Sequence, residues 1–432
     1  MADTLGEGYA RRPMAPLLRV HEATLRNGLR VRVVPSTETP VVSLYTFFQV
    51  GSRNERPGLT GISHLFEHMM FNGAEKYGPH QFDEVLESHG GRSNAYTSHD
   101  LTVYYDEFAS EALEQVLDLE ADRMRSLTIS DRTLEREREV VKEERRLRVD
   151  NEVMGLIDEE LQALVYQAHP YRWPVIGWMG DIEAIRRQDC EAYFRTYYAP
   201  SNAVLWIAGD VQPEATLRQV RRAYGDIPRG PPVPAVVNAE PPQRGERRSV
   251  LSHPAQAPGL LVAYRGPAVA HPDAVTLDVL EFILAVGEGS RLTKRLVYEE
   301  RVAVDVGMDW SWRIDPGVLL FHAELAPGGE PARVEAALYQ ELARVVEHGV
   351  TERELAKAKN NLRAHLMREL TTSSGRAHAL GSYEAYLGSW RAGLRLAQRY
   401  AQVEAAAVQV VAARYLLASQ RSVVTLVPGV SA

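Results

Sequence analysis

The sequence predicts an α+β fold of two homologous halves, each a mostly antiparallel β-sheet packed with α-helices. Three observations carry this. Strands alternate with helical pairs, without the steady βαβ spacing of a doubly wound parallel sheet. The order of elements before a Pro-rich stretch, residues 228–242, recurs after it. Arg195-Thr196-Tyr197-Tyr198 followed by a strand at 203–208 is echoed by Ala413-Arg414-Tyr415-Leu416 followed by a strand at 422–427, roughly 220 residues on. Two such halves make a clam-like body, itself half of a clam-like dimer. The expected divisions are an N-terminal arm (1–18), a first domain (19–228), a linker (229–246) and a second domain (247–432).

The elements follow in order. Residues 23–35 alternate Leu25, Leu29, Val31 and Val33 with polar neighbours around Asn27-Gly28, as a hairpin does. A β-rich run at 41–50 leads through a Gly/Pro loop into a helix from 62 to 72, which no Pro or Gly interrupts. A short helix at 81–88 ends at Gly90-Gly91, and paired strands follow at 92–98 and 101–108. Residues 110–127 form an amphipathic helix, and Ser130 caps a highly charged one running to 148. Further helices are expected at 152–167, 181–198 and 213–224, with a strand at 202–208. In the second half, strands are expected at 259–264, 302–312, 318–326 and 422–427. Helices are expected there at 272–285, 290–299, 330–347, 352–370, 374–389 and 394–417.

Composition narrows the function. The chain has 432 residues, 45% hydrophobic and 25% charged, which can bury a large core without disulfides or a structural metal. Its net charge of −8 argues against nucleic acid as the main partner. Cys190 is the only cysteine, so an intrachain disulfide and thiolate zinc sites are excluded, and any metal must use His and carboxylate. No run of about 18 apolar residues suggests a membrane span. Residues 1–16 hold Arg11 and Arg12 but no apolar secretion core, so a cytoplasmic protein is expected, or a periplasmic one if a leader was removed.

The reactive stretch is His64-Leu65-Phe66-Glu67-His68. Helical positions four apart share a face, so both imidazoles can bind one metal ion. Glu67 can then reach a water on that metal. This H-x-x-E-H order reverses the H-E-x-x-H helix of zinc proteases. Two histidines and a glutamate on an otherwise apolar helix are costly to bury without a partner. A catalytic zinc has three protein ligands and one open position. His80, His89 and His99 lie in different elements without regular spacing, so the charged helix is the better source of the third ligand. Glu137 and Glu144 are two helical turns apart along one line, with Glu143 the near competitor.

These residues resemble the pitrilysin, or M16, metallopeptidase family, which includes insulin-degrading enzyme and the mitochondrial processing peptidase. That family carries H-x-x-E-H with a Glu ligand about 76 residues later, and from His68 the count reaches Glu144. A second glutamate seven before the ligand is matched by Glu137. Other matches are Gly90-Gly91-x-x-Asn94-Ala95-x-Thr97 with Thr102 and Tyr104, His169-Pro170-Tyr171 with Pro174 and Ile176-Gly177, and Tyr198-Ala199-Pro200-x-Asn202 before Gly209-Asp210. The resemblance spans essentially the whole chain and its short two-domain, processing-peptidase-like branch.

The resemblance implies peptide-bond hydrolysis with one Zn²⁺ per chain, held by His64, His68 and Glu144. Glu67 would be the general base, and Glu137 would support the site from behind a histidine. The strand at 92–98 would take the substrate as an added β-strand, through Asn94, Ala95 and Thr97. Active members also hold the substrate carbonyl with an Arg and a Tyr seven later. Here those positions are Val297 and Val304, with Tyr298 and Arg301 out of register. The expectation is therefore a heterodimer whose homologous partner lacks H-x-x-E-H and supplies the Arg/Tyr pair. A leader-processing peptidase and a non-catalytic scaffold with a vestigial zinc site are the alternatives.

Overall fold

The computed structural model describes residues 18–255 and 257–429, so the expected 1–18 arm lies outside it except for Leu18. The first sheet contains β1 (His21–Thr24), β2 (Arg30–Pro35), β3 (Val41–Phe48), β4 (Arg92–Thr97), β5 (Thr102–Ala109) and β6 (Ala203–Gly209), in the order β1-β2-β6-β3-β5-β4. The second contains β7 (Arg247–His253), β8 (Gly259–Arg265), β9 (Asp305–Asp309), β10 (Val318–Glu324) and β11 (Arg421–Pro428), in the order β7-β11-β8-β10-β9. Setting β1 aside, the two orders are the same. Each has one parallel pair at the same place, β2 with β6 and β7 with β11, and is otherwise antiparallel. The duplication expected from the sequence is thus a duplication of topology.

Helices of the first half are α1 (Ile62–Met69), α2 (Gln81–Ser88), α3 (Leu113–Ser126), α4 (Asp131–Arg145), α5 (Val153–Val165), α6 (Met179–Ala184), α7 (Arg187–Tyr197) and α8 (Pro213–Tyr224). Those of the second are α9 (Ala274–Leu284), α10 (Pro331–His348), α11 (Glu352–Glu369), α12 (Ser373–Leu387), α13 (Trp390–Leu394), α14 (Leu396–Gln402) and α15 (Ala405–Tyr415). Four local expectations change. The helix expected at 181–198 breaks at Ile185-Arg186, where the Asp189 carboxylate accepts the Arg186 N–H and restarts it as α7. The stretch 394–417 divides among α13, α14 and α15. Residues 293–299 wind as a π-helix. Strand β7 was not anticipated, because Arg-Arg-Ser-Val-Leu-Ser-His on a half-exposed sheet edge shows no clear apolar alternation.

Alternate residues of each strand point to opposite faces, and here both faces are buried. On the first sheet Val42, Leu44, Phe48, Leu205 and Ile207 face the core under α1, α3, α7 and α8. Tyr45, Phe47, Val204 and Trp206 face the other way, into a core shared with the second half. There α12 lies against β3 and β6, although it belongs to the second half. The second sheet mirrors this. Leu260, Val262, Leu319 and Phe321 face α9, α10, α11 and α15, while Leu261, Ala263, Val424 and Leu426 receive α5 from the first half. Ile157, Leu161 and Val165 recur every fourth residue of α5 and supply its apolar row.

The two halves therefore exchange a helix each. Polar contacts reinforce the exchange: Glu384 of α12 is buried and accepts from Arg32 Nε (3.1 Å) and Nη2 (2.7 Å) on β2. Residues 229–246 hold no helix or strand but are pinned, since the Glu240 carboxylate accepts N–H bonds of 2.9–3.0 Å from Gln167, Ala168 and His169. At the seat of α12, Gly381 lets the Phe47 ring approach so closely that a Cβ would lie 2.1 Å from its Cε2. Overpacking at such a contact costs about 1–3 kcal/mol. Gly381→Ala is expected to lower the urea midpoint accordingly and to loosen both halves together, as one transition followed by tryptophan fluorescence.

Candidate metal centre

Helix α1 buries Ile62, Leu65, Phe66 and Met69 in the first core and leaves His64, Glu67 and His68 half-buried on its other side. Its N-terminus starts at Gly61, which has φ +87 and no side chain to cap the helix. Glu55 does that work from the preceding loop. Its two carboxylate oxygens accept the N–H groups of Gly61 and Ser63, both at 2.8 Å, where the helix dipole favours a negative charge. Burial pushes the Glu55 carboxyl up to about 8, opposed by the Ser63 and Gly61 hydrogen bonds. Gly61 packs directly on Gly177, where a Cβ would lie 2.4 Å from the Gly61 Cα.

Helix α4 crosses α1. One oxygen of its Glu144, Oε2, lies 3.6 Å from His64 Nε2 and 3.2 Å from His68 Nε2. The donor atoms of His64, His68 and Glu144 all lie within 4.8 Å of one another. Zinc–ligand bonds of about 2.0–2.2 Å place tetrahedral ligands roughly 3.4 Å apart, so this spacing fits one ion. The donor set fits as well: two imidazoles and one carboxylate, with no thiolate needed. Burial, reinforced by neighbouring His68, holds His64 down to about 4 against the pull of Glu144, which keeps it a neutral donor. Burial also opposes charge on His68, but its contact with Glu144 and the nearby carboxylates outweigh this and raise it. The same contact with His68 holds Glu144 below the usual carboxylate range, against burial.

Glu137, two turns back along α4, brings Oε2 to 3.7 Å from His68 Nδ1, the ring nitrogen facing away from Glu144. That is a charge-pairing distance, too long for a hydrogen bond. Glu143 turns outward to Arg146 and is exposed, which separates it from Glu144. His80 caps α2 with φ +69, His89 ends the same helix, and His99 is half-buried with its ring edge-on to Tyr171. Among the described residues, only His64, His68 and Glu144 gather as a three-ligand group.

Strand β4 is the outer strand of the first sheet and lies beside α1. Thr97, at its end, lies near Glu67. Burial raises the Glu67 pKa, and the Thr97 hydroxyl and amide pull it back down. The Thr97 hydroxyl nevertheless lacks a well-formed hydrogen bond, so this is proximity without a fixed partner. The strand's period of two separates the three residues expected to hold substrate. Ala95 and Thr97 face the α1 side, and Asn94 is exposed on the opposite face, with its Oδ1 accepting the Ala95 N–H at 2.8 Å. In the second half α9 stands at the position of α1 and carries no histidine. Val297 is half-buried in the π-helix and Val304 is exposed beside β9.

Two family models match. The model described as insulinase (peptidase family M16) matches residues 30–177, and the one described as peptidase M16 inactive domain matches residues 184–362. A Helicobacter pylori protein named zinc protease PqqE is 33% identical over 372 residues, covering 84% of this chain and 83% of the relative. The chain belongs to peptidase family M16. An Arabidopsis thaliana protein named as a probable mitochondrial-processing peptidase subunit beta is 27% identical over 93% of this chain and 77% of its own length. Among solved structures, a protease from Helicobacter pylori superposes with a TM-score of 0.92 at 30% identity, over 95% of this chain and all of that one. A periplasmic protease from Escherichia coli, PqqL, shares the fold at a TM-score of 0.78 and 20% identity, this chain spanning 48% of it. The M16 fold is thus present in both halves, and among the described residues the group able to hold a metal lies in the first.

Sequence reasoning passed over Glu55, because it lies six residues before Gly61 and outside any capping spacing. Glu55→Ala would strand two amides at the start of α1, each costing about 1–3 kcal/mol. A drop in melting temperature together with weaker zinc binding is expected, read by calorimetry and by competition with a chromophoric chelator.

Proposed function

We propose that this chain is a zinc-dependent endopeptidase acting on peptides or unfolded segments, and the zinc-bearing subunit of a heterodimer. The observation that carries the reading is the single Glu144 oxygen facing both imidazole Nε2 atoms beside the half-buried Glu67. Zinc bound there would supply Lewis acidity, polarising a carbonyl and lowering the pKa of a water toward about 7. Glu67 takes a proton from the attacking water and returns it to the leaving amine nitrogen. Its raised pKa brings it closer to the working pH, where a base and acid in turn is most effective. Glu137 holds His68 from the Nδ1 side, which favours the tautomer with Nε2 free.

The open edge of β4 supports binding of an extended peptide by main-chain hydrogen bonds, with the cleaved bond near Thr97 and Glu67. Ala95 and Thr97 line that approach. Asn94 acts from the far face by occupying the Ala95 N–H until a substrate strand competes for it. The valines at 297 and 304 support the heterodimer, because neither can hold a substrate carbonyl. A homologous partner without H-x-x-E-H would contribute the missing Arg/Tyr pair. The likeness to a processing peptidase beta subunit over 93% of the chain favours a second reading, removal of leader segments. A single cut site in one protein, against scattered cuts in many peptides, separates the two.

The test is a peptide assay with metal analysis. Wild type is expected to bind one zinc, and to turn over at least tenfold faster with its partner than alone. Glu67→Gln should keep its zinc and lose turnover by about 10²–10⁴-fold. Full turnover by Glu67→Gln ends the assignment of the base, and equal rates with and without a partner end the heterodimer. Glu137→Gln is expected to weaken zinc binding by about 10–100-fold, measured by chelator competition.

A further inference from the structure

Three charged side chains lie in the first core behind α1: Asp106 on β5, and Glu120 and Arg123 on α3. Each is less than 5% exposed. Arg123 Nε donates to Glu120 Oε2 at 3.0 Å, and its Nη2 forms an ion-pair contact with Glu120 Oε1 at 2.7 Å without hydrogen-bond alignment. Burial, opposed by Arg123 and reinforced by Asp106, pushes Glu120 up to about 8. Buried ion clusters are weak stabilisers, and apolar replacements often do as well. Stability is therefore a poor account of why charges stand here.

Geometry gives a better one. The Arg123 guanidinium lies over three aromatic rings, with centroid distances of 4.6 Å to Tyr104, 4.8 Å to Phe82 and 5.6 Å to Phe71. Phe71 follows the last turn of α1. Tyr104 sends its hydroxyl to the Phe66 carbonyl at 3.1 Å, in the turn that carries Glu67 and His68. Glu120 fixes the guanidinium, the guanidinium fixes the Tyr104 ring, and Tyr104 fixes the height of that turn.

We propose that Arg123 is a positioning residue for the metal centre, acting through Tyr104 on the Phe66 carbonyl to set where Glu67 and His68 stand relative to Glu144. This rests on the zinc-peptidase reading above. A planar, five-donor guanidinium can stack on an aromatic ring and hold a carboxylate at once, which a lysine ammonium cannot.

The test uses Arg123→Lys, Tyr104→Phe and the double variant in the full chain with its partner. Tyr104→Phe keeps the ring stack and the core volume and removes only the hydroxyl, so it stays informative if Arg123→Lys fails to fold. With Co²⁺ in place of zinc, the visible ligand-field bands report ligand geometry without any turnover. Both single variants are expected to shift these bands in the same direction. Each is expected to lower kcat about tenfold with KM within twofold, and the double variant should fall no further than Arg123→Lys. Bands identical to wild type with only a lower melting temperature would overturn the proposal. So would losses in kcat that multiply in the double variant, or a Tyr104→Phe variant with wild-type kcat. If wild type binds Co²⁺ but cleaves nothing, the peptidase reading fails alone, and the spectra still decide the role of Arg123.

Discussion

Arg145 directly follows Glu144, and its buried guanidinium joins three segments that are distant in sequence. It donates to the Gly177 carbonyl at 2.6 Å, pairs with Glu159 of α5 at 2.8 Å, and stacks near the Trp178 ring. Gly177 in turn abuts Gly61, where α1 begins. The end of α4, the start of α1 and the body of α5 are thereby held at one point. Glu144 can face His64 and His68 only while that point is kept. Because α5 sits on the second sheet, the half without the His-x-x-Glu-His pattern becomes part of what places Glu144.

This gives a physical reason for a half without the His-x-x-Glu-His pattern to accompany the half that has it. Neither sheet can cover both of its faces with its own helices, and the reciprocal seating of α5 and α12 solves the problem for both at once. The solution also stiffens the site, since α1 is capped by Glu55 at one end and held through Tyr104 and Phe71 at the other. Ligand spacing tight enough for zinc needs such support, because a loosely held carboxylate would turn to solvent as Glu143 does.

Much of this was legible in the sequence, for physical reasons that differ by element. The strands and long helices announced themselves by apolar periodicity, and the halves by recurrence of Tyr-containing helix ends before buried strands. His64, Glu67 and His68 could be grouped because a helix converts a spacing of four into one face. Spacing could not choose between Glu143 and Glu144, which lie one position apart on the same helix; in the structure Glu143 turns to Arg146 and Glu144 to His68. The apolar row of Ile157, Leu161 and Val165 said that α5 is buried but not against which sheet. The split of Asn94 from Ala95 and Thr97 across β4 was implicit in the period of two.

The exchange of helices also has a bearing on biosynthesis. The seat for α5 is built from β7, β8 and β11, all of which leave the ribosome after α5 itself. Until then the nascent first half carries an uncovered greasy row on α5, and its own sheet waits for α12. Co-translational folding therefore cannot finish one half before the other, and the emerging chain is a natural client for a holding chaperone until β11 has joined its sheet.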